Sequence, residues 1–292
     1  MEGLEIPRMQ PLPASIISAV SAEIAGRLEA ALTGVALAGR QTLERFDDPG
    51  LAVVEKADHS PVTEADHAAE RLLREHLLGR FPGDAFLGEE SGTAAGSSGY
   101  EWIVDPIDGT KSFIRGVPLY ATLVGCRLAG RGVLGVIAIP ALGELVYAAV
   151  GGGCWHVRGR GEPTRSRVSS RESLAESLIC SSDFTSFGRR RDGSQGNEAR
   201  GRLEQACRLS RTWGDGYGYL LVATGRAELM VDPIMNAWDA AAVETVIIEA
   251  GGRFTDWQGR ERIDSGDGIA SNGLVHAAAL RLLGGSGPLP PG

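Results

Sequence analysis

The chain has 292 residues, 43% of them hydrophobic and 23% charged, a globular composition with enough length for a large buried core in one domain or two subdomains. A net charge of −8 argues against nucleic acid as the main partner, because that binding needs a clustered cationic surface. No apolar run has the length to cross a bilayer.

In chain order, Met1 to Pro13 carries Pro7, Pro11 and Pro13 and no apolar stretch behind a basic end, so no secretory leader is expected. This segment and Gly284 to Gly292 are expected to fray. Ser15 to Glu44, rich in Ala and Leu, reads as one long helix. A second runs from Asp66 to Arg80 with Ala69, Leu72, Leu73, His76 and Leu77 at helical spacing, His76 being packed rather than catalytic. Phe86-Leu87 and Trp102-Ile103-Val104 read as strand ends. Leu119 to Leu128, Val133 to Ile139 and Glu144 to Val150 read as consecutive strands of an antiparallel sheet. Gly151-Gly152-Gly153 has no following Lys or helix and is a tight turn, not a phosphate loop. The arginines of Arg158 to Arg171 and Arg189 to Arg191 read as solvated loops.

Further on, Ser177 to Ser181 predicts a strand, Asn197 to Leu209 a helix, Tyr217 to Thr224 a short helix and Ala227 to Val231 a strand. Trp238 to Ala250 predicts a buried helix, followed by a strand at Arg253 to Thr255 and a final helix through Leu283. Asp183 to Asn197 reads as a mobile loop that either closes over substrate or simply connects elements. The pattern suggests a layered α+β fold, with one half at 14–150 and the other at 151–283. Cys126, Cys154, Cys180 and Cys207 lack any Cys-x-x-Cys spacing and read as buried reduced thiols. Their even number leaves disulfides open, though a chain of this size does not need them. A cytoplasmic protein is the expectation.

Chemistry concentrates in a few acids. Asp105-Pro106-Ile107-Asp108-Gly109-Thr110 leaves a strand through a proline that fixes its own φ and biases Asp105 toward extended geometry. Two carboxylates three residues apart can then face one point, with the Ile107 carbonyl between them as a third oxygen. Such oxygen donors suit Mg²⁺. Gly109 allows close backbone approach, and Thr110 offers a hydroxyl for an attacking water. The same residues are common in turns. Gly88-Glu89-Glu90-Ser91 and Trp238-Asp239-Ala240-Ala241-Ala242 add acids, although Asp239 taken alone reads as a helix-start residue favoured by the dipole rather than a metal ligand. Jointly, Glu89, Asp105, Asp108 and Asp239 supply what a site of two or three ions needs to clamp the oxygens of a displacement at phosphorus. Lysine occurs only at Lys56 and Lys111, each a candidate compact cation near phosphate or acids.

These three segments resemble the signatures of the inositol-monophosphatase-like phosphatases, in order and spacing, from about residue 14 to 283. Within that superfamily the segments Arg211 to Tyr219, Val231 to Asp239 and Asp108 to Phe113 look most like the histidinol-phosphate phosphatases. The resemblance implies the family's α-β-α-β-α sandwich, with the site between two halves. It implies Mg²⁺ ligands at Glu89, Asp105, Asp108, Asp239 and the Ile107 carbonyl, a nucleophilic water held by Glu89 and Thr110, and a further acid at Asp66. Asp66 also fits helix capping after Thr63. Gly109 and Thr110 would receive phosphate oxygens through backbone N–H groups. The organic part of the substrate would meet Asp215, Asp232 and Asn236. The carboxylates there would favour cationic histidinol over neutral inositol, though both acids also read as turn residues.

The resulting expectation is a Mg²⁺-dependent phosphomonoesterase acting on L-histidinol phosphate, a small-molecule substrate, in a homodimer implied by the resemblance alone. Two alternatives stand beside it: the same chemistry on inositol, sugar or nucleotide phosphates, and an inactive metal-binding interaction protein.

Overall fold

The computed structural model describes residues 11–57, 59–190 and 195–284. The expected frayed ends fall largely outside them, but Leu12 is described and is buried. The first helical region is two helices, α1 (Ala14–Ala19) and α2 (Ala22–Leu43), rather than one. Val20 turns extended, and the Ser21 hydroxyl accepts the Ile24 amide, capping a new N-terminus. A hairpin of β1 (Val53–Glu55) and β2 (Pro61–Thr63) leads into α3 (Glu64–Arg80). There Thr63 and Asp66 form a reciprocal capping box. His76 packs as expected, its ring on the Ala30 carbonyl.

Next come β3 (Ala85–Gly88), β4 (Gly92–Ala94), β5 (Tyr100–Asp108), the short α4 (Thr110–Phe113), β6 (Ala121–Leu128), β7 (Arg131–Ile139), β8 (Glu144–Ala149), β9 (Gly153–Arg158) and β10 (Thr164–Ser166). They build an eight-stranded sheet in the order β10-β9-β8-β7-β6-β5-β3-β4, in which only β3 and β5 pair in parallel. The remaining elements are β11 (Leu178–Cys180), α5 (Gly196–Ala206), β12 (Leu209–Arg211), α6 (Gly216–Ala223), β13 (Leu229–Asp232), α7 (Ala237–Glu249), β14 (Arg253–Thr255), β15 (Gly268–Ser271) and α8 (His276–Gly284). Their strands form a five-stranded sheet, β12-β11-β13-β15-β14.

Period-two alternation explains the layering. Trp102 and Val104 face a core shared with α2 and α3, whereas Ile103 faces one shared with α6 and α7. α6 and α7 also pack on the five-stranded sheet, whose other face joins α5 and α8 through Leu203, Val231, Ile269 and Leu282. The result is the expected five-layer sandwich. No helix among the described residues is long and apolar enough to cross a membrane, and all four cysteines are free and buried.

Several expectations change. Phe184–Arg189 is a 3-10 helix whose start is capped by Asp183, with Phe187 in the core; residues 191–194 of that stretch lie outside the described ones. Arg190 is not solvated: it pairs with Asp267 at 2.8 Å and lies over Trp257 at 3.9 Å, because a guanidinium can be buried against a ring and a carboxylate together. Thr164–Ser166, read as loop, adds the edge strand β10 to β9. The helix expected to reach Leu209 stops at Ala206, freeing Leu209–Arg211 to pair in parallel with β11.

Candidate metal centre

The centre begins with an irregularity in β5. Asp105 pairs with Leu123 and Asp108 with Ala121, so three steps along β5 match two along β6. That extra residue is a β-bulge, and it reverses the in-out alternation. Asp105 and Asp108, which a regular strand would send to opposite faces, therefore share the face toward α7. Pro106 sits in the bulge, where its missing N–H costs no ladder bond, and its carbonyl accepts from Thr122 at 2.9 Å. The Ile107 side chain turns the other way into an aromatic cluster with Phe46, Phe113 and Tyr120.

The third acid arrives on α7. Gly125 and Gly135 let this helix lie directly on the sheet: a Cβ on Gly125 would come 2.8 Å from the Ala241 carbonyl carbon, and one on Gly135 2.2 Å from the Ala242 oxygen. Asp239 stands in the first turn, one oxygen accepting the Asn236 amide at 2.7 Å. Oxygens of Asp105, Asp108 and Asp239 lie within 4.8 Å of one another. Capping and clustering thus coexist in one side chain.

Such crowding has an electrostatic cost. Burial, then the charge of Glu89 and the neighbouring aspartates, holds Asp105 well above the usual carboxylate range. Burial and Asp215 do the same to Asp108, and burial pushes Asp239 up to about 7. Oxygen-only donors around concentrated negative charge fit a hard divalent cation.

Glu89 lies near enough to raise Asp105 and Asp239 but is not within the tight cluster. Its carboxylate accepts from the Lys56 ammonium at 2.8 Å, and Glu90 takes a second bond from it at 2.7 Å. The turn carrying both acids is pinned from behind by Glu70, 1% exposed, which accepts the Glu90 and Ser91 amides at 2.8 and 2.7 Å. Glu70 escaped the sequence reading, which named Glu90 within the acidic segment but gave it no role of its own; an acid on the buried stripe of α3, one turn past Asp66, was the available signal for Glu70.

Thr110 and Asp66 do come together. The Thr110 hydroxyl lies 3.2 Å from Asp66 Oδ1 and 3.2 Å from the Ile107 carbonyl, while Asp66 Oδ2 caps α3 through the Thr63 amide and hydroxyl. Burial raises the Asp66 pKa.

Gly109 has φ +87°, and a Cβ there would meet Asp215 Oδ2 at 2.4 Å. Asp215 therefore covers the Gly109 loop, next to Asp108, which accepts the Gly216 amide. Asp215 itself is a non-glycine at φ 52°, a strained conformation, and burial plus the Asp232 charge push its pKa up to about 6. Asp232 is more enclosed. Its oxygens accept from the Ser182 amide at 2.9 Å and the Tyr219 hydroxyl at 2.7 Å, and the Ser182 hydroxyl accepts the Asp215 amide at 3.0 Å. Asn236 supplies the start of α7. Ser182 carried no motif that sequence reasoning could recognise, and Tyr219, at the end of the Arg211 to Tyr219 segment, was given no role of its own there.

A family model described as inositol monophosphatase family matches residues 26–285. The chain belongs to the inositol monophosphatase family. Within it, the chain is 42% identical over 244 residues to a histidinol-phosphatase of Chlorobaculum parvum, covering 84% of this chain and 91% of that one. It is 33% identical to an inositol-1-monophosphatase of Mesorhizobium japonicum, over 84% and 91% of the two chains. Among solved structures, a Thermotoga maritima IMPase superposes with a TM-score of 0.78 at 29% identity, covering 89% of this chain and 97% of that one.

Proposed function

We propose that this member of the inositol monophosphatase family is a Mg²⁺-dependent phosphomonoesterase whose substrate is L-histidinol phosphate. The observation that carries the chemistry is the convergence of Asp105, Asp108 and Asp239 within 4.8 Å. The similarity to histidinol-phosphatase at 42% identity, together with Asp215 lying over Gly109, supports the choice of alcohol.

In this reading Asp105, Asp108, Asp239, Glu89 and the Ile107 carbonyl hold the metal ions, two or three of them. When bound, Mg²⁺ supplies neutralisation of the phosphate oxygens and a more acidic water. The chain's own residues do the rest. Thr110 has one hydroxyl proton and two acceptors, Asp66 and the Ile107 carbonyl, so its lone pairs face outward to orient a water that Glu89 also holds. Asp66, with its pKa raised by burial, is suited to receive a proton through that hydroxyl. The backbone N–H groups at Gly109 and Thr110 bind phosphate oxygens. Asp215 attracts the cationic part of the alcohol, Asp232 keeps Asp215 in place through Ser182, and Asn236 lines the same side. A homodimer in the cytoplasm belongs to the same reading and rests on the family resemblance.

Phosphate release from a panel of monoesters tests it. L-Histidinol phosphate is expected to exceed inositol 1-phosphate in kcat/KM by at least about tenfold, roughly 1.4 kcal/mol of discrimination, with turnover abolished by chelation and restored by Mg²⁺. A tenfold preference for inositol phosphate would move the assignment to the second reading, which the relative at 33% identity favours.

A further inference from the structure

Away from the candidate metal centre, a cavity of about 430 Å³ opens where the later turns of α7 cross the ends of β6 and β7. Its size lies at the lower end of small-molecule sites, roughly 300–1,000 Å³. None of the chemistry above uses the side chains that line it. Three of its buried polar atoms have no hydrogen-bond partner: Arg127 Nε, Glu244 Oε2 and Thr245 Oγ1. Thr245 is 2% exposed, so bulk water does not satisfy its hydroxyl. Arg127 and Glu244 approach only to 3.8 Å, an ion pair without a hydrogen bond. Gly132 keeps the strand from filling the gap, since a Cβ there would come 2.5 Å from Thr245 Oγ1 and 3.0 Å from Glu244 Oε2.

Charge narrows the ligand. Glu249 is spent on the Gly151 and Gly153 amides at 2.9 and 2.7 Å. That leaves Glu244 and Glu261 against Arg127 and Arg131, two acids balanced by two guanidiniums. A simple anion or cation would meet as much repulsion as attraction, whereas a small zwitterion satisfies both signs. Its carboxylate would accept from Arg127, and its ammonium would donate to Glu244 and Thr245. Val150 and Ile248, each 48% exposed, offer an apolar wall for a side chain.

We infer that this cavity binds a free α-amino acid, independently of which phosphate ester the enzyme hydrolyses. Calorimetric titration of the full chain with each standard L-amino acid, and with acetate and ethylammonium as half-molecules, tests it. At least one amino acid is expected to bind once per chain, about tenfold or more tighter than either half-molecule. Thr245→Val and Glu244→Gln should each weaken that binding about tenfold, with phosphate release staying within about twofold of the unsubstituted enzyme. Amide shifts in the unsubstituted protein should cluster at Gly130, Gly132 and Ile248, a readout that does not depend on a variant folding. The inference is overturned if no amino acid binds below roughly 10 mM, if a half-molecule binds equally well, if both substitutions leave binding intact, or if the shifts cluster around Gly109 and Asp239.

Discussion

At Thr110 one hydroxyl stands between the Asp66 carboxylate and the Ile107 carbonyl, so its value lies in the oxygen atom rather than the methyl group. Thr110→Ala is expected to lower kcat about 10²- to 10³-fold with an unchanged melting curve, and Thr110→Ser to retain most turnover, because general acid–base positioning of this kind contributes on that scale. Steady-state phosphate release beside thermal melts checks both. Equal losses in the two variants would remove the hydroxyl from the mechanism. The same residue-level economy appears at Gly109, where the left-handed φ and the Asp215 carboxylate both require that no side chain be present.

The decisive element is α7. Its first turn brings Asp239 to the β5 bulge, its middle lies on Gly125 and Gly135, and its later turns border the cavity lined by Glu244 and Thr245. Because the helix backbone rests where side chains would otherwise stand, a single added methyl must displace it. Gly135→Ala is expected to cost about 1–3 kcal/mol of stability and, by lifting the helix, to weaken activity as well. Denaturant melts paired with kcat/KM measure this; loss of stability with full activity would show that α7 can shift without moving Asp239. The β5 bulge is the complementary device, since one extra residue aligns two aspartates that alternation would separate.

For the molecule as a whole, His276 ties α8 to the five-stranded sheet and makes stability depend on pH. The Thr255 hydroxyl donates to the Asp256 carbonyl, and Ser271 Oγ accepts the Gly273 amide. The buried ring therefore donates from Nε2 to Thr255 and accepts at Nδ1 from Ser271, which selects the neutral tautomer. Burial, then the Arg253 charge, lowers its pKa to about 4. The sign follows: between about 6.5 and about 4 the unfolded chain takes up a proton that the folded one refuses, so stability falls as pH falls through that window, by up to about 3 kcal/mol. Melting His276→Gln beside the unsubstituted protein from pH 7 to pH 4 should show the variant losing less; parallel curves would mean that this ring does not titrate as described.

Composition, periodicity and the three acidic segments were enough to reach the layered α+β fold, most helices and strands, and the acids Asp105, Asp108 and Asp239. Those features are local: spacing along the chain encodes which face is apolar, and a proline between two aspartates marks an unusual bend. What remained hidden depends on packing between distant segments. The parity reversal in β5 needs β6 beside it, Arg190 is buried because Trp257 and Asp267 come from elsewhere in the chain, and the edge strand β10 exists only through β9. Glu70 behind Glu90, Ser182 between Asp232 and Asp215, and the buried atoms of Arg127, Glu244 and Thr245 that lack hydrogen-bond partners are likewise matters of proximity in space, which no residue spacing records.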